Sequence, residues 1–555
     1  MNRLLYGDNL SIMEKMPGRW ADLIYLDPPF QSAQNYNLIY KTLTGKPVPE
    51  QAEAFCDTWE MDAEKEQLLK AMPALMRENG VEDYYVEFWR TWMNALRRTQ
   101  PDLLAYLIYM VRRLIHMKVI LKPTGSLYLH CDPTASHYIK VMLDGIFGHR
   151  NFRGELIWKR TSAHSGSKRW GPVHDVLLYY TSSDTYTWNQ TYQPLPKETV
   201  DAWYNNVDPK SGRRFNRADL TGAGTRTGSS GEPWRGIDPT AKGRHWAIPR
   251  AEQVSDIVAG KETQEALDAL DAAGYVHWPK TKGGTPMFRR FLDESKGVPA
   301  VDVITDIFPA RNTASAKDRL GYPTQKPVEL LKRIITASSN EGDVVFDPFC
   351  GCGTTIYAAE ELGRKWVGCD IAILAVRLVQ EQLGKRHQLV EGVHYEVGGI
   401  PNSVEAAADL WRHDHFQFEH WAVEKVGGFP TKKTGDKGID GRIYFEAGQK
   451  LKLMVLSVKG GGVRPTDIRD LIGVLSTEAE ATLAGFITLQ PPSPAMVKAA
   501  AALGTWEHRG VAYPKVQILT VKDILEDGKT LQMPTRIKTK AATGQLSLPM
   551  TDGGA

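Results

Sequence analysis

Apolar runs and helical periodicities alternate in the first and last thirds of the chain. Asp22 to Leu26 is a short apolar run that predicts a buried strand. The following Asp27-Pro-Pro-Phe30 must leave the sheet, because proline cannot continue a central strand. Residues 61–118 have helical apolar spacing, and Ser126 to His130 predicts another strand. From residue 327 to Asp370, helix, strand, helix and strand follow one another, which is the βαβ pattern of a parallel sheet.

A second α/β region is predicted over residues 410–530. Residues 416–426 have the spacing of an amphipathic helix, and 466–477 predict another helix. Apolar runs at 438–445, 451–459 and 484–489 predict strands. The tail from about residue 535 is rich in Lys, Thr, Gly and Pro, and we expect it to be disordered.

Residues 151–250 are basic and rich in aromatic side chains. They hold 15 Lys or Arg against 9 Asp or Glu, and 13 aromatic residues, whereas aromatics make up 9% of the whole chain. A Gly/Ser/Thr-rich stretch at 221–231 predicts a flexible loop. This texture is typical of a region that contacts nucleic acid. It is equally typical of an irregular surface domain, and composition alone leaves both interpretations open.

Composition excludes several classes of protein. The 555 residues carry a net charge of +3, from 68 Lys or Arg and 65 Asp or Glu, which excludes a histone-like polycation and an acidic disordered chain. Five cysteines are too few and too scattered for a secreted disulfide scaffold, so we expect reduced thiols in a cytoplasm. Residues 1–10 lack the sustained apolar core of a signal peptide, so we expect none there, and the most apolar long run, 103–121, carries four basic residues. We therefore predict an amphipathic helix there and no membrane span.

A glycine-containing loop, Asp347-Pro-Phe-Cys-Gly351-Cys-Gly353, lies between a predicted strand and a predicted helix. Glycines let the backbone approach a ligand at the carboxyl edge of a sheet. Asp370 ends the next strand and can accept hydrogen bonds from ribose hydroxyls. The loop lacks both the dinucleotide and the phosphate-loop patterns, so nicotinamide dinucleotide and ATP are disfavoured. Asp347 suits the amino group of an amino-acid cofactor, which points to S-adenosylmethionine; a purely structural turn is the alternative.

Asp27-Pro-Pro-Phe30 can activate an exocyclic amine. The Asp27 carboxylate and the Pro28 carbonyl can each accept one amine hydrogen, which exposes the nitrogen lone pair. Pro28 and Pro29 fix the direction of the carbonyl, and Phe30 offers a flat face for an extruded base. The alternative is a strand-ending Pro-Pro turn capped by Asp27.

Together these two motifs resemble the β group of the amino-methyltransferases of DNA, in which the catalytic motif precedes a variable insert and the cofactor motif follows it. Leu5 to Leu10 resembles the family's segment that holds the cofactor's adenine ring, and Tyr322 to Leu331 the helix start beside its methionine part. The resemblance covers about residues 1–180 and 315–385. It implies an S-adenosylmethionine site built from Asp8, Asn9, Lys326, Asp347, Phe349, Gly351, Gly353, Thr354 and Asp370.

The resemblance implies an α/β fold with a Rossmann-like sheet of seven strands. The methyltransferase core would span 1–150 and 315–395, with a target-recognition insert at 151–314. Asp at position 27 is usual in N6-adenine enzymes of the family, and Ser in N4-cytosine enzymes. We therefore expect N6-adenine methylation, with N4-cytosine methylation and a DNA-binding scaffold with dead active sites as rivals.

In the insert, basic and aromatic residues are the candidate DNA contacts. Phosphates could meet Lys159, Arg160, Lys168 and Arg169. Phosphates or guanine edges could meet Arg213, Arg214, Arg217, Arg235 and Arg244. Three tryptophans could be either wedges in DNA or ordinary core residues: Trp170, Trp234 and Trp246. For any single one of these candidates, we favour the interpretation that it is a solvated charge or a buried aromatic side chain.

The C-terminal region, 405–530, resembles the Mrr-type restriction endonucleases, a second α/β fold, and 531–555 would be a flexible tail. In that family an Asp and a Glu/Gln-x-Lys motif hold Mg²⁺ and orient water; Asp440 and Lys459 match it, and Ser457 replaces the Glu or Gln. Asp440 would be the metal ligand, and Glu419 or Glu424 could supply another. An inactive DNA-binding module is the alternative. The expected partner is double-stranded DNA, in restriction–modification or mobile-element self-protection, and a homodimer is left open.

Overall fold

The structure is a computed structural model that describes residues 1–29, 36–38, 40–41, 52–55, 59–161, 170–309, 325–431, 438–448, 450–478, 481–536 and 540–541. The chain divides into two compact units. One contains 1–189 and 302–555, and the other contains 190–301.

A mixed sheet organises the larger unit. Within the described ranges its strands are β1 (Asn2–Tyr6), β2 (Ala21–Leu26), β3 (Leu121–Cys131), β4 (Phe152–Lys159), β5 (His174–Thr181), β6 (Val303–Ile304), β7 (Val344–Asp347), β8 (Lys365–Asp370) and β9 (Tyr395–Gly398). Their order is β6-β4-β5-β3-β2-β7-β8-β1-β9. The strands from β3 to β9 in this order run parallel, and β5 is antiparallel to both of its neighbours.

The predicted sheet of seven strands is thus extended to nine in the described residues. The additional strands are β6 and β9, one at each edge. Strand β6 has two residues and β9 has four, which is too short for an apolar alternation to stand out in the sequence.

Helices cover both faces of this sheet, and further helices pack in the C-terminal region. In the described part of this unit, they are α1 (Asn9–Met13), α2 (Ala63–Glu78), α3 (Asp83–Thr99), α4 (Pro101–Ile120), α5 (Ser136–Leu143), α6 (Val328–Ser338), α7 (Thr354–Glu361), α8 (Ile373–His387), α9 (Val404–His413), α10 (His415–Lys425), α11 (Pro465–Thr477), α12 (Pro494–Ala502) and α13 (Val521–Leu525). Alternate residues of β2 serve the two faces: Ile24 and Leu26 pack with α2–α5, whereas Leu23 and Tyr25 pack with α6–α8. No helix in the described ranges has the length and hydropathy that crossing a bilayer needs.

The smaller unit is shorter than the predicted insert, 151–314. Its sheet joins strands Asn206–Val207, Arg214–Asp219, Met287–Phe291 and Val276–His277, and helix Thr263–Ala272 packs in its core. Residues 152–159 and 174–181 instead belong to the main sheet as β4 and β5. The apolar run of β5 is what a buried strand requires, but the basic and aromatic surroundings masked it in the sequence.

The C-terminal region forms a second sheet, in the order β10 (Phe429–Pro430), β11 (Gly441–Ala447), β12 (Lys450–Lys459), β13 (Ala481–Thr488) and β14 (Val516–Thr520). The pair β11–β12 is antiparallel, and β12, β13 and β14 are parallel. Its core is continuous with that of the methyltransferase-like sheet. The predicted tail, 531–555, begins too early, because Leu531 is buried in that core; residues 537–539 and 542–555 lie outside the described residues.

Candidate active site

A cavity of about 220 Å³ opens at the carboxyl ends of β1, β2, β7 and β8. Its lining includes candidate residues that the sequence separates by more than 300 positions. They are Asp8, Asn9, Asp27, Pro28, Pro29, Lys326, Asp347, Phe349, Gly351, Thr354 and Asp370. Parallel strands bring their carboxyl ends to one edge, so the amine-activating motif and the glycine loop meet there.

The glycine loop is held in one conformation by its own hydrogen bonds. The Phe349 N–H donates to Asp347 Oδ1 at 3.0 Å, and the Gly351 N–H donates to Asp370 Oδ2 at 2.8 Å. Gly353 has φ +85°, and a Cβ there would lie 2.8 Å from Val379 and 2.9 Å from Tyr357. Only glycine suits this position, which brings the loop onto the start of α7.

Two buried carboxyl groups of the cavity have raised pKa values. Burial raises the pKa of Asp347 to about 7, although hydrogen bonds from Thr355 and Phe349 oppose the shift. Burial also raises the pKa of Asp370 to about 6, against hydrogen bonds from Ala372 and Gly351. A cationic ligand would favour the ionised forms. Asp370 accepts backbone hydrogen bonds from the Gly351 N–H on Oδ2 and from the Ala372 N–H on Oδ1, and its carboxylate has further lone-pair capacity for a hydroxyl.

Asp27 is paired with Lys326. The Lys326 ammonium contacts Asp27 Oδ2, and both side chains are largely buried. The resemblance assigns Lys326 to the methionine part of the cofactor; in the structure its ammonium group lies on the carboxylate of the amine-activating motif. Phe30 and residues 322–324 lie outside the described residues.

Helix α4 supplies a side of the cavity that the sequence reasoning missed. Arg113 donates to Asp8 Oδ1 at 2.6 Å and to Asn9 Oδ1 at 2.7 Å, and its guanidinium stacks 3.5 Å from the Tyr109 ring centroid. The Asn9 amide in turn donates to the Pro348 carbonyl at 2.7 Å. These bonds connect α4, the Asp8 segment and the glycine loop.

Aromatic side chains complete this wall. Tyr109 lies 4.8 Å from Trp59 and 6.5 Å from Phe349, centroid to centroid, and all three line the cavity. Burial raises the pKa of Tyr109 to about 12. The sequence predicts helices over residues 61–118 but assigns no site residue to them. The available signal was Arg113, a charge within an apolar helical run and one turn after Tyr109.

In the C-terminal region, the candidate nuclease residues Asp440, Ser457 and Lys459 come together. Asp440 Oδ2 accepts from the Val458 N–H at 2.6 Å and from Ser457 Oγ at 3.2 Å, and Lys459 Nζ lies 3.8 Å away. The described residues contain no cluster of three His, Cys, Asp or Glu side chains suited to a metal.

Glu424 faces the methyltransferase-like core. Its carboxylate accepts from the Ile373 N–H at 3.2 Å, at the start of α8. Burial raises the pKa of Glu424 to about 8. Helix α10 presents this residue to the loop after Asp370, because the C-terminal region packs on that loop; the Gln417 amide donates to the Ile371 carbonyl at 3.4 Å.

Most described arginines that were candidate DNA contacts make internal contacts. Arg213 pairs with Asp293 and Glu294, Arg235 with Asp268 and Asp271, and Arg244 with Asp219. Arg214 donates to backbone carbonyls, and Arg160 pairs with Asp175. Trp234 and Trp246 are buried core residues, whereas Trp170 is exposed. Lys168 and Arg169 lie outside the described residues.

Comparison with known proteins adds a family match. The N6_N4_Mtase family, described as DNA methylase, matches residues 21–381. That range is 361 of the 555 residues and contains the Asp27 motif, the insert and the glycine loop.

Individual relatives match different lengths of the chain. The type II methyltransferase M.EcaI of Enterobacter cloacae is 33% identical over 279 residues, 50% of this chain and 57% of M.EcaI. The Mod subunit of the type III restriction-modification enzyme StyLTI of Salmonella typhimurium is 26% identical over 377 residues, 66% of this chain and 50% of the subunit. The DNA adenine methyltransferase YhdJ of Escherichia coli is 60% identical over 50 residues, 9% of this chain and 17% of YhdJ. The chain spans about half the length of the first two.

Proposed function

Because this chain belongs to the DNA methylase family N6_N4_Mtase, we propose that it transfers a methyl group from S-adenosylmethionine to an exocyclic amine of double-stranded DNA. The observation that carries the proposal is the shared cavity of Asp27, Asp347, Gly351 and Asp370. An amine held by the first residue would face a cofactor held by the other three.

The cavity residues suit this cofactor. S-adenosylmethionine is cationic at its sulfur and amino groups, and the lining carries the carboxyls of Asp8, Asp27, Asp347 and Asp370. Asp347 would hold the amino group, and Asp370 the ribose hydroxyls through its remaining lone pairs. When bound, the cofactor supplies a methyl group activated by the positively charged sulfur.

The chain's own residues then prepare the amine. Asp27 and the Pro28 carbonyl accept its two hydrogens, and Pro29 keeps that carbonyl fixed. Alignment of the nitrogen with the methyl group accounts for most of the rate, because the attack needs no covalent enzyme intermediate. The aromatic wall of Trp59, Tyr109 and Phe349 limits the access of water.

Adenine N6 is the proposed acceptor. Asp27 is the residue usual in the family's adenine enzymes, and the stretch similar to YhdJ, a DNA adenine methyltransferase by name, agrees with it. The alternative is cytosine N4. M.EcaI is by name a type II methyltransferase and the StyLTI Mod subunit part of a type III restriction-modification enzyme, so we propose a role in restriction–modification.

The test is methyl transfer by the purified full chain from labelled cofactor to unmethylated DNA, followed by digestion to nucleosides and mass spectrometry. We expect N6-methyladenine, and N4-methylcytosine would select the alternative. Asp27→Ala should bind cofactor and transfer no methyl group. Asp184→Ala, an exposed carboxylate paired with Arg153, should match the parent. A parent that modifies neither base would refute the function.

A second candidate function is DNA cleavage by the C-terminal region, supported by the convergence of Asp440, Ser457 and Lys459. The donor set does not make a Mg²⁺ site by itself: Asp440 supplies one carboxylate, the hydroxyl of Ser457 replaces the expected acid or amide, and the carboxylate of Glu424 faces Ile373. We assign no cleavage step to a metal. A DNA-binding module is the alternative.

Incubating methylated and unmethylated DNA with the full chain and Mg²⁺ distinguishes these possibilities. Cleavage should disappear in Lys459→Ala and persist in Lys452→Ala, which alters another lysine of β12. If DNA is bound but not cut under either condition, the C-terminal region is a DNA-binding module and not a nuclease.

A further inference from the structure

Three polar side chains from neighbouring strands form a buried chain beside the cavity. The Tyr25 hydroxyl of β2 lies 2.9 Å from Nδ1 of His130 on β3, and His130 Nε2 lies 3.2 Å from Asp175 Oδ2 on β5. All three residues are at least 98% buried. Buried polar groups are costly unless they are satisfied, so such a network in the sheet points to a role beyond packing.

The surroundings fix which atoms carry protons. Burial alone would raise the pKa of Asp175, but the hydrogen bond from His130 and the charges of Lys326 and Arg160 lower it overall. Asp175 is therefore an ionised acceptor, and His130 donates its Nε2–H to it. Arg160 Nε holds the other carboxylate oxygen at 2.9 Å. In the neutral imidazole, His130 Nδ1 is then the acceptor for the Tyr25 O–H.

Of these three hydrogen-bonded residues, Tyr25 is the one that lines the cavity. It lines the same cavity as Asp27, two positions later along the chain. Burial, followed by the charges of Asp27, Asp347 and Asp175, raises the pKa of Tyr25 well above its usual range. The phenol therefore stays protonated at neutral pH and can pass a proton on while it receives another.

We propose that Tyr25, His130 and Asp175 form a proton-transfer chain that carries away the proton released when the DNA amine is methylated. The inference rests on the proposed methyl transfer. It assigns a role to three residues that lie outside the amine-activating motif and the glycine loop.

The step balances in atoms and charge. As the N–C bond forms and the S–C bond breaks, sulfur takes the electron pair and the amine nitrogen becomes positive. That nitrogen loses a proton to Asp27. The proton passes to the Tyr25 oxygen while the Tyr25 proton passes to His130 Nδ1, and Asp175 stabilises the imidazolium. Asp27 is restored as the carboxylate that Lys326 holds.

The first test needs no cofactor. Protein labelled with ¹⁵N-histidine should show His130, identified by its loss in His130→Gln, with Nε2 protonated and Nδ1 unprotonated. Tyr25→Phe should shift the Nδ1 resonance, because that nitrogen loses its donor. The opposite tautomer, or an Nδ1 resonance unmoved in Tyr25→Phe, would overturn the proposal.

The second test measures single-turnover methyl transfer against pH, at saturating cofactor and DNA so that protonation of Asp347 and Asp370 does not limit binding. Tyr25→Phe should lose about 100-fold in rate, within the range of general acid–base catalysis, with cofactor affinity unchanged. His130→Gln, which removes the acceptor of the Tyr25 proton, should lose a comparable factor in rate.

Tyr128→Phe is the matched control. Tyr128 pairs with Tyr25 across the two strands and is as buried, but its hydroxyl bonds Ser338 at 2.8 Å. It should keep the parent's rate and pH profile. If the parent is active and Tyr25→Phe has the same rate and pH profile, the proton-transfer proposal is wrong, whereas the proposed methyl transfer is not affected. A parent that transfers no methyl group would overturn the proposed function and this chain with it.

Discussion

The ammonium group of Lys326 contacts the carboxylate of Asp27, 299 positions earlier in the chain. This ion pair joins the amine-activating motif to the segment that leads into α6, and both residues line the cavity. It sets the orientation of the carboxylate before any substrate arrives, which is where a transfer reaction gains most of its rate.

Lys326→Met should therefore reduce kcat more than it affects cofactor binding. A charge-assisted hydrogen bond contributes about 1.5–3 kcal/mol, so we expect kcat to fall about 10- to 100-fold. Single-turnover transfer and calorimetric cofactor titration measure the two effects. Lys332→Met, which removes a lysine of α6 paired with Glu329 and Glu361, should change kcat less than about twofold. Weakened cofactor binding with intact kcat would make Lys326 a cofactor ligand instead.

Arg113 should stabilise both the fold and the cofactor site. Arg113→Met removes the guanidinium donor to Asp8 and Asn9, and we expect the free energy of unfolding to fall by about 2 kcal/mol. Cofactor affinity should fall about tenfold, because Asp8 loses its orientation. Urea denaturation and calorimetry measure these changes. Arg112→Met, at a more exposed neighbour 3.5 Å from Glu14, should have little effect on either. Equal effects of the two variants would contradict this account.

A site residue could be predicted from the sequence when its position in the fold follows from its neighbours along the chain, and not when it depends on distant partners. Asp27, Gly351 and Asp370 were predicted because each ends a strand of a βαβ pattern, so its position at the sheet edge follows from a few neighbouring residues. Arg113 was missed because its partners lie more than 100 positions away and neither site motif lies on its helix.

The chain of Tyr25, His130 and Asp175 was missed for the same reason. Its members are ordinary strand residues until the order of β2, β3 and β5 is known. The fold itself was largely predictable, since the predicted strands of the parallel sheet and helices α2–α4 are confirmed. The edge strands and the start of the insert were not, because two- and four-residue strands give no periodic signal and β4 and β5 lie within a basic, aromatic stretch.

Cofactor binding should weaken as the pH falls. The pKa of Asp347 is about 7 and that of Asp370 about 6 in the free protein, so both become neutral between pH 8 and pH 5. A cationic ligand binds their ionised forms, and we expect Kd to rise about tenfold or more over this range. Asp347→Asn should bind weakly at pH 8 and lose the pH dependence near 7. Calorimetric titration at several pH values measures this, and a constant parent Kd would contradict the assignment.

Gly353 should tolerate no side chain. In Gly353→Ala the Cβ would meet Val379 and Tyr357 inside 3 Å, in addition to the cost of a positive φ. Gly342 has a nearly equal φ, +83°, with nothing within 4 Å, so Gly342→Ala isolates the backbone cost of about 1 kcal/mol. We expect Gly353→Ala to lose about 1–3 kcal/mol more than this control. Denaturation of the two variants measures the difference, and equal losses would show that the loop relaxes freely.

The pH dependence of stability should report the contact between α10 and the loop that follows Asp370. Burial raises the pKa of Glu424 from 4.5 to about 8, so folding favours its protonated form. The resulting stability is fully present below pH 4.5 and is lost as the pH rises to about 8. Glu424→Gln keeps an acceptor for the Ile373 N–H without the charge. Thermal unfolding should therefore show similar Tm values for parent and variant at pH 5 and a higher Tm for the variant at pH 9. Glu396→Gln, an exposed control, should follow the parent throughout; a Glu424→Gln curve parallel to the parent's would mean that the carboxyl is hydrated rather than buried against Ile373.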